Sequence, residues 1–277
     1  MFVLSGILIL IFGFLFLVQP EITTGNFFYD KNSYDILVGK ERILWDTGSE
    51  GTFFFQDFAF RKICCVMPSI TYDYGGGWSI TPFYFSRIVE LVPFTIKNVF
   101  YSIEAKENIS PFMKKFGFGG ILGMNIISQA NWVVDFSENS IKTLSKDDDL
   151  MFNCEPKLLL LYNKRSTPKT TFIVQEIKIK DILIDSGSDA DIVLCESDIK
   201  KINQIIHPID TNNYRTHGLY SSSTKGKQYV YKSIAINNHQ FDTLKIRQGN
   251  TRLIGMGFFR KFDKVYLNTE EKIFRFY

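Results

Sequence analysis

The segment Ile43-Leu44-Trp45-Asp46-Thr47-Gly48-Ser49 returns 139 residues later as Ile182-Leu183-Ile184-Asp185-Ser186-Gly187-Ser188. A second pair follows in the same order: Ile121-Leu122-Gly123-Met124 returns 132 residues later as Leu253-Ile254-Gly255-Met256. Two motifs in one order at nearly one offset imply two copies of a single folding unit. After each Gly-Met comes a short apolar stretch and then a paired-strand pattern. These are Trp132 to Phe136 with Ile141 to Leu144, and Lys264 to Leu267 with Ile273 to Phe276. Each copy holds roughly 110 to 130 residues, the size of a small lobe.

The charged turn Ser145-Lys146-Asp147-Asp148-Asp149 closes the first copy. Pro156 and the stretch 163–169 around Pro168 flank Leu158 to Tyr162, a candidate strand entering the second. The expected layout is an N-terminal segment over 1–20, a first lobe over 21–150 and a second over 151–277.

Within each copy the pattern is mostly strand. Tyr34 to Leu37 and Ile43 to Trp45 read as a hairpin whose second strand delivers Asp46. Thr171 to Val174, a turn near Gln175-Glu176 and a strand ending at Ile184 repeat it and deliver Asp185. Helix signals are weak; 188–191 and 125–130 each support a short turn at most. With 27 Phe and 13 Tyr among 277 residues, the composition also favours β structure. The fold class expected is all-β.

Composition excludes several functions. Apolar residues at 45% and charged residues at 22% argue against disorder. A net charge of +3 provides no basic field for nucleic acid. Cys64, Cys65, Cys154 and Cys195 show no C-x-x-C spacing, and His207, His217 and His239 form no H-E-x-x-H, so no metal site is expected. Cys64 and Cys65 read as buried small hydrophobes. Gly117-Phe118-Gly119-Gly120 lacks the G-K-[ST] of a phosphate loop and reads as packing. The three Asp between 185 and 191 do not make a calcium loop, because Gly187 sits where an oxygen ligand is needed. Asn108-Ile109-Ser110 is a glycosylation sequon, meaningful only in a eukaryotic secretory setting.

Phe2 to Val18 carries no charge over 17 residues, the lower edge of what spans a bilayer. Two readings stand, a cleaved signal peptide or a retained membrane anchor. No A-x-A-like site surrounds Val18-Gln19-Pro20, which favours retention. Lys31, Lys40 and Arg42 follow the run and none precedes it, which leaves the orientation open. An exported, extracytoplasmic domain is expected.

One Asp-Thr/Ser-Gly triplet is an ordinary strand-ending turn. A chain of this length holds roughly 0.1 by chance, so two inside a wider repeat need another explanation. A strand end followed by Gly lets two such loops approach closely. Two carboxylates brought together cannot both ionise easily, so they share a proton. One then activates a water while the other donates to a carbonyl oxygen, which is how an aspartic-protease dyad hydrolyses amides.

These two loops resemble the active-site loops of aspartic proteases. The apolar-apolar-Gly segments at Gly123 and Gly255 are similar to that family's second signature, which packs behind each loop. The resemblance runs from about residue 30 to Tyr277, and each copy has the size of a retropepsin-like lobe. It implies two acid-protease β-barrel lobes related by pseudo-two-fold symmetry; the apolar run Phe2 to Val18 places an N-terminal hydrophobic helix before them. By the same resemblance Asp46 and Asp185 are the catalytic carboxylates. Thr47 and Ser186 brace the opposite loop, Gly48 and Gly187 let the backbone pass the carboxylates, and the hydroxyls of Ser49 and Ser188 donate to the outer carboxylate oxygens. Such donors lower the pair's first pKa and imply an acidic optimum.

The family covers its substrate with a hairpin flap, and Tyr72-Asp73-Tyr74-Gly75-Gly76-Gly77-Trp78 occupies the corresponding place. Either Tyr72 or Tyr74 is expected to hydrogen-bond near the dyad. Tyr220 to Gly226 is a second flap or a polar loop. Trp45 and Asn125 depart from the family pattern, and no propeptide is expected after Gln19. The function implied is an aspartic endopeptidase without cofactor, acting on peptides as a monomer. A non-catalytic peptide-binding module on the same fold is the alternative.

Overall fold

The computed structural model describes residues 21–23, 26–28, 36–38, 42–55, 64–73, 77–91, 94–115, 117–144, 154–163, 166–220 and 224–277. The expected N-terminal helix and the lobe boundary near 150 lie outside them. Among the described residues no helix is long and apolar enough to cross a membrane.

Two seven-strand paths dominate the molecule. The first runs Leu37–Val38, Ile43–Trp45, Gly120–Leu122, Thr52–Phe55, Phe94–Glu104, Trp78–Leu91, Cys64–Tyr72, with Glu21–Ile22 joined to Phe94–Glu104. The second runs Lys169–Val174, Ile177–Ile184, Leu253–Ile254, Ile192–Leu194, His239–Gln248, Thr224–Ile236, Asp210–Thr216. Position by position these are the same order. The strand senses match as well. Ile43–Trp45 pairs in parallel with Gly120–Leu122, as Ile177–Ile184 does with Leu253–Ile254. Thr52–Phe55 pairs in parallel with Phe94–Glu104, as Ile192–Leu194 does with His239–Gln248. The repeat in the sequence is a repeat in topology.

A third, six-stranded sheet draws on both halves. Its order is Leu158–Leu161, Ile273–Phe276, Lys264–Asn268, Asn131–Asp135, Ser140–Leu144, Asn26–Phe28. The joint is antiparallel, with Trp132 opposite Leu267 and Val134 opposite Val265. Leu158 and Leu160 are buried while Leu159 and Leu161 are exposed, so this edge strand hides one face, whereas the central Asn131–Asp135 is buried on both.

The phenylalanine excess has a structural use. Phe241, Phe258, Phe259, Phe262, Phe274 and Phe276 form one buried cluster, with Phe262 and Phe276 centroids 4.9 Å apart. Aromatic rings bury large area and prefer such tilted contacts. The single turns Pro111–Lys114 and Met256–Phe259 and one longer helix escaped the sequence reading. Glu196–Asn203 buries Ile199 and Ile202 but has no side-chain cap to announce it.

Candidate active site

Each Asp follows a strand whose last residue, Trp45 or Ile184, is fully buried. Asp46 follows Ile43–Trp45, and its N–H donates to the Leu122 carbonyl at 3.1 Å. Asp185 follows Ile177–Ile184, and its N–H donates to the Ile254 carbonyl at 2.8 Å. Behind each loop the Gly-Met segment closes the turn. Met124 N–H donates to the Ser49 carbonyl at 2.8 Å, and Met256 N–H to the Ser188 carbonyl at 2.7 Å. A Cβ on Gly123 would strike the Gly51 carbonyl, and one on Gly255 the Ala190 carbonyl. Both positions need glycine for this close approach.

The two loops are braced against each other by four buried hydrogen bonds. Thr47 Oγ1 donates to the Ile184 carbonyl at 2.8 Å and accepts the Ser186 N–H at 3.0 Å. Ser186 Oγ donates to the Trp45 carbonyl at 2.8 Å and accepts the Thr47 N–H at 2.9 Å. Both side chains are fully buried. The valine substitution Thr47→Val preserves shape but strands a buried N–H and a buried carbonyl, each costing about 1–3 kcal/mol. Thr47→Val is therefore expected to destabilise the protein by about 2–4 kcal/mol, read from urea unfolding. A change under about 0.5 kcal/mol would show that the brace carries no load.

The brace holds two half-buried carboxyl groups face to face, hydrogen-bonded to each other. Each also lies against a glycine of the opposite loop. A Cβ on Gly187 would fall 2.5 Å from Asp46 Cγ, and one on Gly48 would strike the Asp185 carboxyl. Asp46 Oδ1 accepts the N–H groups of Gly48 at 2.8 Å and Ser49 at 3.2 Å. Asp185 Oδ1 accepts the Gly187 N–H at 3.0 Å. Burial raises the pKa of Asp46. Burial first, and the charge of Asp46 next, raise that of Asp185 well above the carboxylate range.

The serine hydroxyls do not act as expected. Ser49 Oγ donates to the Gly51 carbonyl at 2.8 Å, and Ser188 Oγ accepts the Ala190 N–H at 3.4 Å. Backbone N–H groups serve Asp46 instead, because the tight turn aims them inward while the Ser49 hydroxyl satisfies the next carbonyl. Trp45 packs on Trp132 at 6.0 Å beneath the loop, with its indole nitrogen unpaired among the described residues. Asn125 accepts from Thr52 Oγ1 and donates to the Phe100 carbonyl. The other acids of the second loop have cationic partners: Asp189 pairs with Arg247, and Asp191 with Lys261 at 3.1 Å.

The candidate flap is a hairpin, with Tyr72 opposite Trp78. Asp73 N–H donates to the Gly77 carbonyl, and Gly77 N–H returns to Asp73 Oδ1 at 2.7 Å. Tyr74, Gly75 and Gly76 lie outside the described residues. Tyr72 is 70% exposed. Strand alternation sends it to the outer face, opposite its neighbour Thr71.

Asp210–Thr216 pairs antiparallel with Thr224–Ile236; of the candidate second flap, 221–223 lie outside the described residues, while Tyr220 reaches the other half. Tyr220 N–H donates to Asp73 Oδ2 at 2.7 Å, and its hydroxyl to Glu104 Oε2 at 2.9 Å. Burial, and then the Glu104 carboxylate, push the Tyr220 phenol well up. Glu104 is fully buried, and its other oxygen accepts from Ser79 Oγ and from Asn108 Nδ2. The sequon nitrogen is thus already engaged. Ser110 N–H donates to the Leu219 carbonyl at 2.8 Å, and Leu219 packs against the buried cluster that holds Phe55, Ile109 and Phe118. Sequence reasoning missed Glu104, and it named Tyr220 only as the start of a second flap or polar loop, not as the partner of an acid 116 positions away.

No protein-family model matches this chain, and no curated protein matches it. Among solved structures it is similar to a retropepsin-like aspartic protease from Rickettsia conorii. That match has 21% identity and a TM-score of 0.32, over 43% of this chain and 89% of that one. It is also similar to Basic 7S globulin from soybean, with 8% identity and a TM-score of 0.49, over 92% of this chain and 94% of that one.

Proposed function

We propose that the chain is an aspartic endopeptidase, its two halves related by an approximate two-fold axis through the dyad. The observation that carries this reading is the pair of hydrogen-bonded carboxyl groups held by cross-braced loops. The pair shares one proton, and it sits on Asp185, the acid with fewer close N–H donors. Asp46, served by two N–H donors, is the ionised partner. Asp46 takes a proton from water as the oxygen attacks the peptide carbonyl, and Asp185 donates its proton to the carbonyl oxygen. The resulting diol collapses as a proton passes from Asp46 to the departing amine and Asp185 recovers its own. The domain is held at an extracytoplasmic membrane face through Phe2 to Val18.

The working form is the singly protonated pair. Because burial and like charge raise the second ionisation, that form persists to higher pH than an ordinary carboxyl pair allows. The expected kcat/KM profile on a mixed peptide library is bell-shaped with an acidic optimum. Its upper limb falls above the usual carboxylate range. A maximum well above neutral, or peptide binding with no cleavage at any pH, would overturn the proposal; the latter outcome would favour the binding module.

A further inference from the structure

The candidate flap hairpin is inside out. On Cys64–Tyr72 and Trp78–Leu91, Ile70 pairs with Ile80, Tyr72 with Trp78 and Pro68 with Pro82. These six residues share one face, and all are exposed; Ile70, Tyr72, Trp78 and Ile80 are 56–70% accessible. The other face carries Ser69, Thr71, Ser79 and Thr81, with Ser79 and Thr81 buried. A sheet with one face in water normally shows the opposite alternation. These six side chains bear no charge, and their only polar atoms are the Tyr72 hydroxyl and the Trp78 indole nitrogen. Contiguous exposed apolar surface of this kind marks an interaction site.

The apolar run Phe2 to Val18 ends three residues before Glu21. Glu21 and Ile22 pair with Lys97 and Ile96 on the strand Phe94–Glu104. That strand also pairs with Trp78–Leu91, and Ile88, half exposed, sits opposite Lys97. The chain thus leaves its apolar run onto the sheet that carries the hairpin. A tether at this point keeps the hairpin at high effective concentration against whatever holds the run. Tyr and Trp beside aliphatic residues suit the boundary between lipid headgroups and acyl chains.

We infer that the outer face of this hairpin rests on the lipid surface. The inference depends on the membrane tether proposed above and is independent of the dyad chemistry. Of the three tryptophans, Trp45 and Trp132 are fully buried, so Trp78 alone reports on the face. Full chain is reconstituted into phosphatidylcholine–phosphatidylglycerol vesicles containing brominated phosphatidylcholine, floated, and its tryptophan emission measured. The expected result is co-flotation with a blue-shifted, bromine-quenched component of about a third of the emission. Trp78→Phe removes that component, and the pair Ile70→Ser with Ile80→Ser weakens it at least two-fold. Failure to float overturns the tether and the inference together. Flotation with Trp78 quenched by aqueous acrylamide but not by bromolipid overturns the inference alone. Shielding from both quenchers also overturns it, since a second copy or Phe2 to Val18 would then cover the face.

Discussion

Asp46→Asn and Asp185→Asn are each expected to lower peptide hydrolysis by about 10³-fold or more. Asparagine fills the same space but can neither take the proton from water nor return one to the leaving amine. Because the carboxyls act as one unit, the double variant should lose little beyond either single. Stability should move the other way. Asp185 has a folded-state pKa raised above its unfolded value, so its favourable contribution is complete below the unfolded pKa and is lost as pH rises through the folded one. Asp185→Asn escapes that loss. Its melting temperature should exceed the parent's at neutral pH, with the gain shrinking in acid. Activity surviving within ten-fold in either single variant would remove both groups from the chemistry.

Gly187→Ala is the second large effect. The new Cβ would lie 2.5 Å from Asp46 Cγ and Oδ2 and 2.8 Å from Oδ1, where contact begins near 3.4 Å. Asp46 cannot yield without leaving the Gly48 and Ser49 N–H groups, so the pair must come apart by about 1 Å. A displacement of that size costs about 10²-fold in rate, and overpacking adds about 1–3 kcal/mol of destabilisation. The control is Gly51→Ala, where an added Cβ meets nothing within 4 Å. That variant should stay within about 0.5 kcal/mol of the parent. Steady-state kinetics and urea unfolding on the three proteins decide the matter, and equal behaviour of both alanine variants would refute the close approach.

Much of the site was legible because its chemistry is contiguous. Strand, Asp, hydroxyl and Gly follow one another in seven residues, and the second glycine sits at a nearly repeated offset. What each hydroxyl does was only half legible. Thr47 and Ser186 reach across because both are buried at the contact between loops, whereas Ser49 finds a nearer carbonyl in its own turn. Sequence supplies the residue type but not the rotamer. The link among Asp73, Glu104 and Tyr220 was invisible, since it joins two hairpin tips and a strand end brought together only by the tertiary fold. The outward apolar face needed the register, because alternation alone does not say which face points in.

The shared sheet carries a consequence for biosynthesis. Asn131–Asp135 pairs on one side with Ser140–Leu144 and on the other with Lys264–Asn268, more than a hundred positions downstream. While only the first half has left the ribosome, that second edge waits open, an aggregation hazard for a nascent chain. The same order of synthesis leaves Asp46 without its facing carboxyl until the second half has emerged, so the acid pair cannot assemble on a half-made polypeptide.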